Sequence, residues 1–232
     1  MSVYQREFTV IEKADASPVT EADCMAEALI VPALQALLPD VVVVAEEAVS
    51  AGKIPKIGER FWLVDPLDGT KEFISRNGEF TVNVALIENG LPVLGVVLAP
   101  AIGCLFAGVV GQGAFVVDSC GRREISCRFC ADDGLIVVAS RSHGDAEALG
   151  KFLDGSKIRE LRTAGSSLKL CLVASGEADV YPRLGRTMEW DIAAGQAVLM
   201  AAGGSVEDLK GGALRYGKPG FENPHFVAWG KR

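Results

Sequence analysis

The sequence predicts a layered α/β protein whose two subdomains share one cleft. Apolar runs of strand length, broken by tight turns, fill the first half of the chain. In the second half, similar runs alternate with segments of helical length. The 232 residues, 49% hydrophobic and 23% charged, suffice for one domain or two closely joined halves around a true core. The expected division is a single domain over 1–232, with an α+β part (1–125) and an α/β part (126–232).

The elements follow in order. MSVYQREFTVIE (1–12) has little helical character and lacks the apolar stretch of a secretory signal. Residues 20–38 read as an amphipathic helix, with Thr20 as N-cap and Asp23 three residues on, close to a capping box. Pro32 is expected to kink or shorten it, and Pro39-Asp40 ends it. VVVVA (41–45) is a β-branched strand leading to Glu46-Glu47. FWLVD (61–65) is a second strand, expected to stop at the turn Pro66-Leu67-Asp68-Gly69 before a short helix from Thr70. FTVNVALI (80–87) alternates as a half-buried strand does.

Residues 91–117 carry no charge and invite a membrane reading. Pro92, Pro100 and five glycines divide the stretch into the strands LGVVLAP, GCLFAGVV and GAFVVD. The join between subdomains falls near 120–132, where Gly, Arg, Asp and Ser cluster. LIVVAS (135–140), a helix near 144–153, a helix near 166–175, ADVYP (178–182) and a helix over 190–202 complete the chain.

Net charge is −7, which argues against a nucleic-acid partner but leaves room for a phosphorylated small molecule bound through local cations. Two His disfavour a zinc hydrolase. Cys127 and Cys130 form a lone C-x-x-C, which reads as half a zinc site, a redox pair, or two cysteines on one side of a strand-and-turn region. The last reading is favoured, since no second C-x-x-C follows. Reduced thiols point to a cytoplasmic protein, with the inner face of the membrane as a peripheral alternative.

The chemistry lies in carboxylates. Glu46 ends one strand, Asp65 ends the next, and Asp68 follows across Pro66 and Leu67. Pro66 fixes the backbone, the turn swings Asp68 back toward Asp65, and the Leu67 carbonyl can add a hard oxygen. Gly69 allows the backbone to approach an anion, and Thr70 offers a hydroxyl and an amide at a helix start. Converging acids of this kind require a cation, and oxygen ligands without His suit Mg²⁺. Alone, D-x-x-D reads equally well as a solvated acidic turn. Asp191 opens an apolar helix, and alone it reads as a simple N-cap.

Taken together, D-P-L-D-G-T-K-E-F (65–73), E-W-D-I-A-A-G (189–195), S-P-V-T-E-A-D (17–23) and A-E-E (45–47) resemble the motifs of the inositol-monophosphatase-like, Mg²⁺-dependent, Li⁺-inhibited phosphatases, in that family's order. KADASPVTEAD (13–23), ASRSH (139–143), GSSLK (165–169), VYPR (180–183) and TMEWD (187–191) make the resemblance closest to the CysQ-type 3′(2′),5′-bisphosphate nucleotidases. The resemblance implies the α-β-α-β-α sandwich of the inositol-monophosphatase/fructose-bisphosphatase type. It implies that Glu46, Asp65, the Leu67 carbonyl, Asp68 and Asp191 hold two or three Mg²⁺. Gly69 and Thr70 would bind the scissile phosphate, Asp23 would orient Thr70, and Glu47 would support the ligands from behind. Ser166, Lys169 and Arg183 would bind the nucleotide and its second phosphate, with His143 near the base.

The implied reaction is hydrolysis of 3′-phosphoadenosine 5′-phosphate to AMP and phosphate, extending to the sulfated form of that nucleotide. An inositol monophosphatase or sugar-bisphosphate phosphatase is the alternative, which Arg183 and GSSLK disfavour. A non-catalytic phosphate-ligand sensor is a third reading, disfavoured because a mere binder does not need the whole carboxylate set. The partner expected is a small nucleotide bisphosphate, and the assembly a monomer or homodimer. One departure stands out: the helix that family members usually carry before K-A-D is shortened or missing, which would bare apolar surface.

Overall fold

The structure, a computed structural model, describes residues 1–13, 18–141 and 146–232. Two short strands, β1 (Val10–Glu12) and β2 (Pro18–Thr20), pair antiparallel and lead into helix α1 (Glu21–Leu37). Thr20 caps α1 in a complete capping box: its hydroxyl accepts the Ala22 N–H at 3.1 Å, and Asp23 accepts the Thr20 N–H at 2.8 Å. Pro32 does not shorten the helix, which runs unbroken for 17 residues.

Strand β3 (Val42–Ala45) passes directly into α2 (Glu46–Ser50), and β4 (Arg60–Asp68) into α3 (Thr70–Ile74). The hairpin strands β5 (Thr81–Glu88), β6 (Leu91–Ala99), β7 (Cys104–Val109), β8 (Gly113–Asp118) and β9 (Gly121–Ile125) complete a seven-stranded sheet in the order β3 to β9. Within it, the β3–β4 pair is parallel and the rest antiparallel. The uncharged stretch 91–117 is thus strands and turns, and among the described residues no helix is long and apolar enough to cross a membrane.

The second sheet takes β10 (Leu135–Ser140), then β11 (Ile158–Ala164) after helix α4 (Ala146–Leu153). Helix α5 (Leu168–Ala174), strand β12 (Val180–Arg183) and helix α6 (Glu189–Ala201) follow, and β13 (Ser205–Asp208) and β14 (Phe226–Trp229) close the sheet in the order β11-β10-β12-β14-β13. Its first three strands are parallel, and β14 runs antiparallel to its neighbours.

Helix α6 is apolar nearly all round because it lies between the sheets, buried from Ile192 to Leu199. It joins α5, the inner face of the first sheet (Ala85, Ile87, Val97) and that of the second (Ile136, Val138, Phe226) in one core. On the outer face of the second sheet, Phe152 and Leu153 of α4 pack on Val137, Val180 and Val227. Helix α1 lies against β3 and β4, giving five layers in the expected α-β-α-β-α sequence.

Gly95 of β6 explains how closely α6 approaches. A Cβ there would stand 2.2 Å from the Ala194 carbonyl oxygen and 2.8 Å from the Ala197 Cβ. Gly95→Ala is therefore expected to destabilise by about 3 kcal/mol or more, as overpacking against main chain does. Urea denaturation followed by circular dichroism reads this directly, and an unchanged midpoint would contradict the close helix–sheet contact.

Candidate active site

Strand β4 does not stop at Asp65. It continues through Asp68 with a bulge: Asp65 faces Asn83 and Asp68 faces Thr81, an advance of three residues on β4 against two on β5. In a regular strand, side chains three apart point to opposite faces. The extra residue brings Asp65 and Asp68 to the same face, opposite the buried Thr81 and Asn83 of alternating β5. Asp65 accepts the Leu67 N–H at 2.9 Å, which holds the turn within the bulge.

Gly69 then takes the left-handed conformation (φ 90°) and starts α3 with Thr70 as its first residue. A helix of five residues cannot stand alone. Phe73 of α3 is pinned in an aromatic cluster with Tyr4, Phe8 and Phe80, its ring centroid 4.9–5.0 Å from each of theirs. Arg76 binds the Tyr4 and Arg6 carbonyls at 2.8 and 2.7 Å. The first eight residues are thus a brace for the Gly69-Thr70 turn, a role their sequence does not announce.

Glu46 opens α2 directly after β3, and Asp191 is the third residue of α6, not its cap. The Asp191 carboxylate accepts the Met188 N–H at 2.9 Å. Glu46, Asp65, Leu67, Asp68, Gly69, Thr70 and Asp191 line one cavity of about 400 Å3. Ser166, Lys169 of α5 and Arg183 of β12 line the same cavity.

The electrostatics mark the acids as a set. Burial raises the Asp65 carboxyl well above its ordinary value, and the charges of Glu46, Asp68 and Asp191 push it further. Burial does the same to Asp191, followed by Asp68 and Glu46. Glu46 is raised by burial and eased by Lys13, whose ammonium lies 2.7 Å from Glu46 and 2.6 Å from Glu47. Among the described residues, no three acidic, imidazole or thiol groups close around one point as a finished metal cage. The acids instead converge on a shared space, where a cation would relieve their mutual repulsion. All-oxygen donors, with no His lining the cavity among the described residues, fit a hard ion such as Mg²⁺ rather than zinc.

Lys169 is 5% exposed and donates to the Ser166 and Ala164 carbonyls at 2.6 and 3.3 Å. Burial lowers it to about 8, against the opposing pull of Asp68. Ser166 sits at φ 45°, and its buried hydroxyl has no hydrogen-bond partner among the described residues. Strain and an unsatisfied hydroxyl at a cavity wall mark a ligand-facing turn.

Two of the sequence-predicted residues stand off the cavity. Asp23 lies behind Thr70, whose hydroxyl donates to it across a long 3.4 Å contact. Glu47 turns to Lys13 instead. His143 lies outside the described residues. Lys13, Asn83, Ser167 and the rim cation Arg186 were not anticipated. Cys127 and Cys130 do not share a side: Cys127 is buried and Cys130 exposed, both free thiols.

The inositol monophosphatase family model matches residues 1–229. The 3′(2′),5′-bisphosphate nucleotidase CysQ of Escherichia coli (strain K12) is 47% identical over 230 residues, covering 97% of this chain and 92% of that protein. The nucleotidase of the same name from Haemophilus influenzae is 34% identical, covering 98% and 86%. Among solved structures, CysQ from Bacteroides thetaiotaomicron, described as a bacterial member of the inositol monophosphatase family, superposes with a TM-score of 0.83 at 40% identity over 100% of this chain and 91% of that one. An inositol monophosphatase from Thermotoga maritima gives 0.78 at 29% identity over 97% and 84%. With a family model spanning both sheets and relatives matched almost end to end, the chain belongs to the inositol monophosphatase family.

Proposed function

We propose that the protein is a 3′(2′),5′-bisphosphate nucleotidase that hydrolyses 3′-phosphoadenosine 5′-phosphate to AMP and phosphate. The observation that carries this reading is one cavity lined both by buried carboxylates and by the buried cations Lys169 and Arg183. A phosphomonoester alone would be served by the acidic wall and its cations. The second, basic wall suits a substrate with a second phosphate. The 47% identity to a nucleotidase supports the same choice over the inositol monophosphatase alternative.

Glu46, Asp65, the Leu67 carbonyl, Asp68 and Asp191 would hold Mg²⁺, two or three ions at saturation. Bound there, Mg²⁺ supplies charge neutralisation for the phosphate and acidifies water. The rest falls to the chain. The Gly69-Thr70 turn offers main-chain amides at a helix start for the phosphate oxygens. The Thr70 hydroxyl lies between the cavity and Asp23, so a proton passed to Thr70 has a carboxylate behind it. Asp23 suits that role, because burial raises it and two hydrogen bonds from Thr20 fix its orientation. Lys169 and Arg183 would hold the far phosphate, so that in-line attack is a matter of positioning.

Phosphate release from 3′-phosphoadenosine 5′-phosphate, measured with Mg²⁺ and against inositol 1-phosphate, tests the assignment. Preference for the nucleotide and inhibition by Li⁺ are the expected results. Turnover of inositol 1-phosphate with none of the nucleotide would overturn the substrate, and indifference to Mg²⁺ would overturn the mechanism.

A further inference from the structure

Asp68 belongs to the first sheet and Asp191 to the helix between the sheets, and their offset must be fixed for one cation cluster to see both. Two buried side chains, Asn83 and Ser167, link them. Asn83 stands on β5 opposite Asp65, is 1% exposed and does not line the cavity. Its amide nitrogen donates to the Asp68 carboxylate at 3.2 Å and to the Ser167 hydroxyl at 2.9 Å. Ser167, 3% exposed, donates in turn to the main-chain carbonyl of Asp191 at 2.6 Å.

We propose that Asn83 and Ser167 form a positioning bridge that sets Asp68 against Asp191, and that the affinity of the site for divalent cations depends on it. The direction of the amide is fixed by its partners. Both hydrogens of the Asn83 amide are committed, one to each oxygen, and its own oxygen is buried with no partner among the described residues. Turning the amide over would set that oxygen against a carboxylate, and an Asp in its place would add a further like charge beside Asp68. An apolar residue would fill the space but lose the hydrogen bonds to Asp68 and Ser167, and with them the link between the two acids. Asn83 touches no reacting atom. It acts through the ligands, as outer partners of metal sites do.

The inference rests on the proposed function only in that the cavity takes Mg²⁺. The test uses Mg²⁺ alone, titrated by calorimetry into the full-length, substrate-free chain, with Trp190 fluorescence as a second readout beside Asp191. Asn83→Leu and Ser167→Ala are each expected to weaken Mg²⁺ binding about 10- to 100-fold, the range seen when an outer partner of a metal ligand is removed. Ser167→Thr, which keeps the hydroxyl, should restore it to within about threefold. Because both residues serve one bridge, the double variant should bind no more weakly than the weaker single one. At saturating Mg²⁺, KM for the nucleotide should stay within about twofold, since neither residue is asked to hold substrate. Binding within about twofold of wild type in the Ser167→Ala variant would overturn the proposal, as would a double variant whose loss is the product of the two singles. Should Asn83→Leu fail to fold, the Ser167→Ala and Ser167→Thr pair decides alone. A wild-type chain that takes up no Mg²⁺ would remove the metal reading and the bridge with it. A chain that binds Mg²⁺ normally but ignores the nucleotide would fail the substrate reading and leave the bridge standing.

Discussion

Asp68→Asn is expected to abolish turnover while making the metal-free protein more stable. The loss should be at least about 10³-fold in kcat/KM, because a direct ligand must cost more than the 10- to 100-fold typical of an outer partner. The gain in stability has a different source. Without cations the cavity holds acids that raise one another, and Asp68 acts on both Asp65 and Asp191. Replacing one charge with a neutral isostere removes that repulsion at little cost in packing. The sign of the pH dependence follows. Carboxyls whose folded values are raised keep their protons in the native state when the unfolded chain has released them. Their contribution to stability is present below the unfolded value and is lost as pH climbs through the folded one. Glu47, raised by burial from 4.5 to about 7, places part of this loss between those values, and Asp65 and Asp191 shift in the same direction. Melting in chelator should therefore show wild type falling behind Asp68→Asn by a margin that widens as pH rises above the ordinary carboxylate range, because Asp68 acts on the raised Asp65 and Asp191. Added Mg²⁺ should reverse the order by stabilising only the wild type. Near-normal turnover in Asp68→Asn would remove it from the ligand set. A stability gap that narrows with rising pH would show that the acids do not repel one another.

Much of this site is written in local sequence. The strands that matter are β-branched and apolar, so VVVVA and FWLVD can be placed by composition, and the residues at their ends follow. The layer order was legible through resemblance, since four separated motifs fix a family better than any one periodicity. What the sequence hid was pairing. That Asp65 and Asp68 share a face depends on a bulge against β5, and D-P-L-D reads as a turn until its partner is known. The edge strands were missed for a physical reason. GRREI of β9 and IRELRTA of β11 are exposed and charged, as edges that avoid aggregation must be, and so they look like loops. The short β13 and β14 carry too few residues for alternation to register. Asn83 lies in a strand read only for its alternation, and Lys13 in a motif quoted only for its other letters. Neither declares its partner without coordinates.

The basic wall gives the second large effect. Arg183→Ala should raise KM for 3′-phosphoadenosine 5′-phosphate by about 10- to 100-fold, the equivalent of one charge-assisted hydrogen bond at about 1.5–3 kcal/mol. A monoester without a second phosphate should be hydrolysed with KM within about twofold of wild type. Arg183 closes β12 at 8% exposure, and its guanidinium binds the Arg186 carbonyl at 2.8 Å. That contact shapes the turn leading to α6, so Arg183→Lys is the necessary companion: it keeps the charge and loses the planar fork. An intermediate KM for Lys would assign the effect to the phosphate, whereas equal losses on both substrates would assign it to the turn. Lys169 supplies an independent readout. Burial, opposed by Asp68 and aided by the like charge of Arg183, holds it down to about 8. The kcat/KM profile reports groups of the free enzyme. For the bisphosphate it should therefore decline above about pH 8 in wild type, as Lys169 loses its proton. In Arg183→Ala the like charge is gone, Lys169 keeps its proton longer, and the alkaline limb should move to higher pH. An unmoved limb would show that the two charges do not share the cavity, while the KM effect confined to the bisphosphate separates a phosphate clamp from a prop.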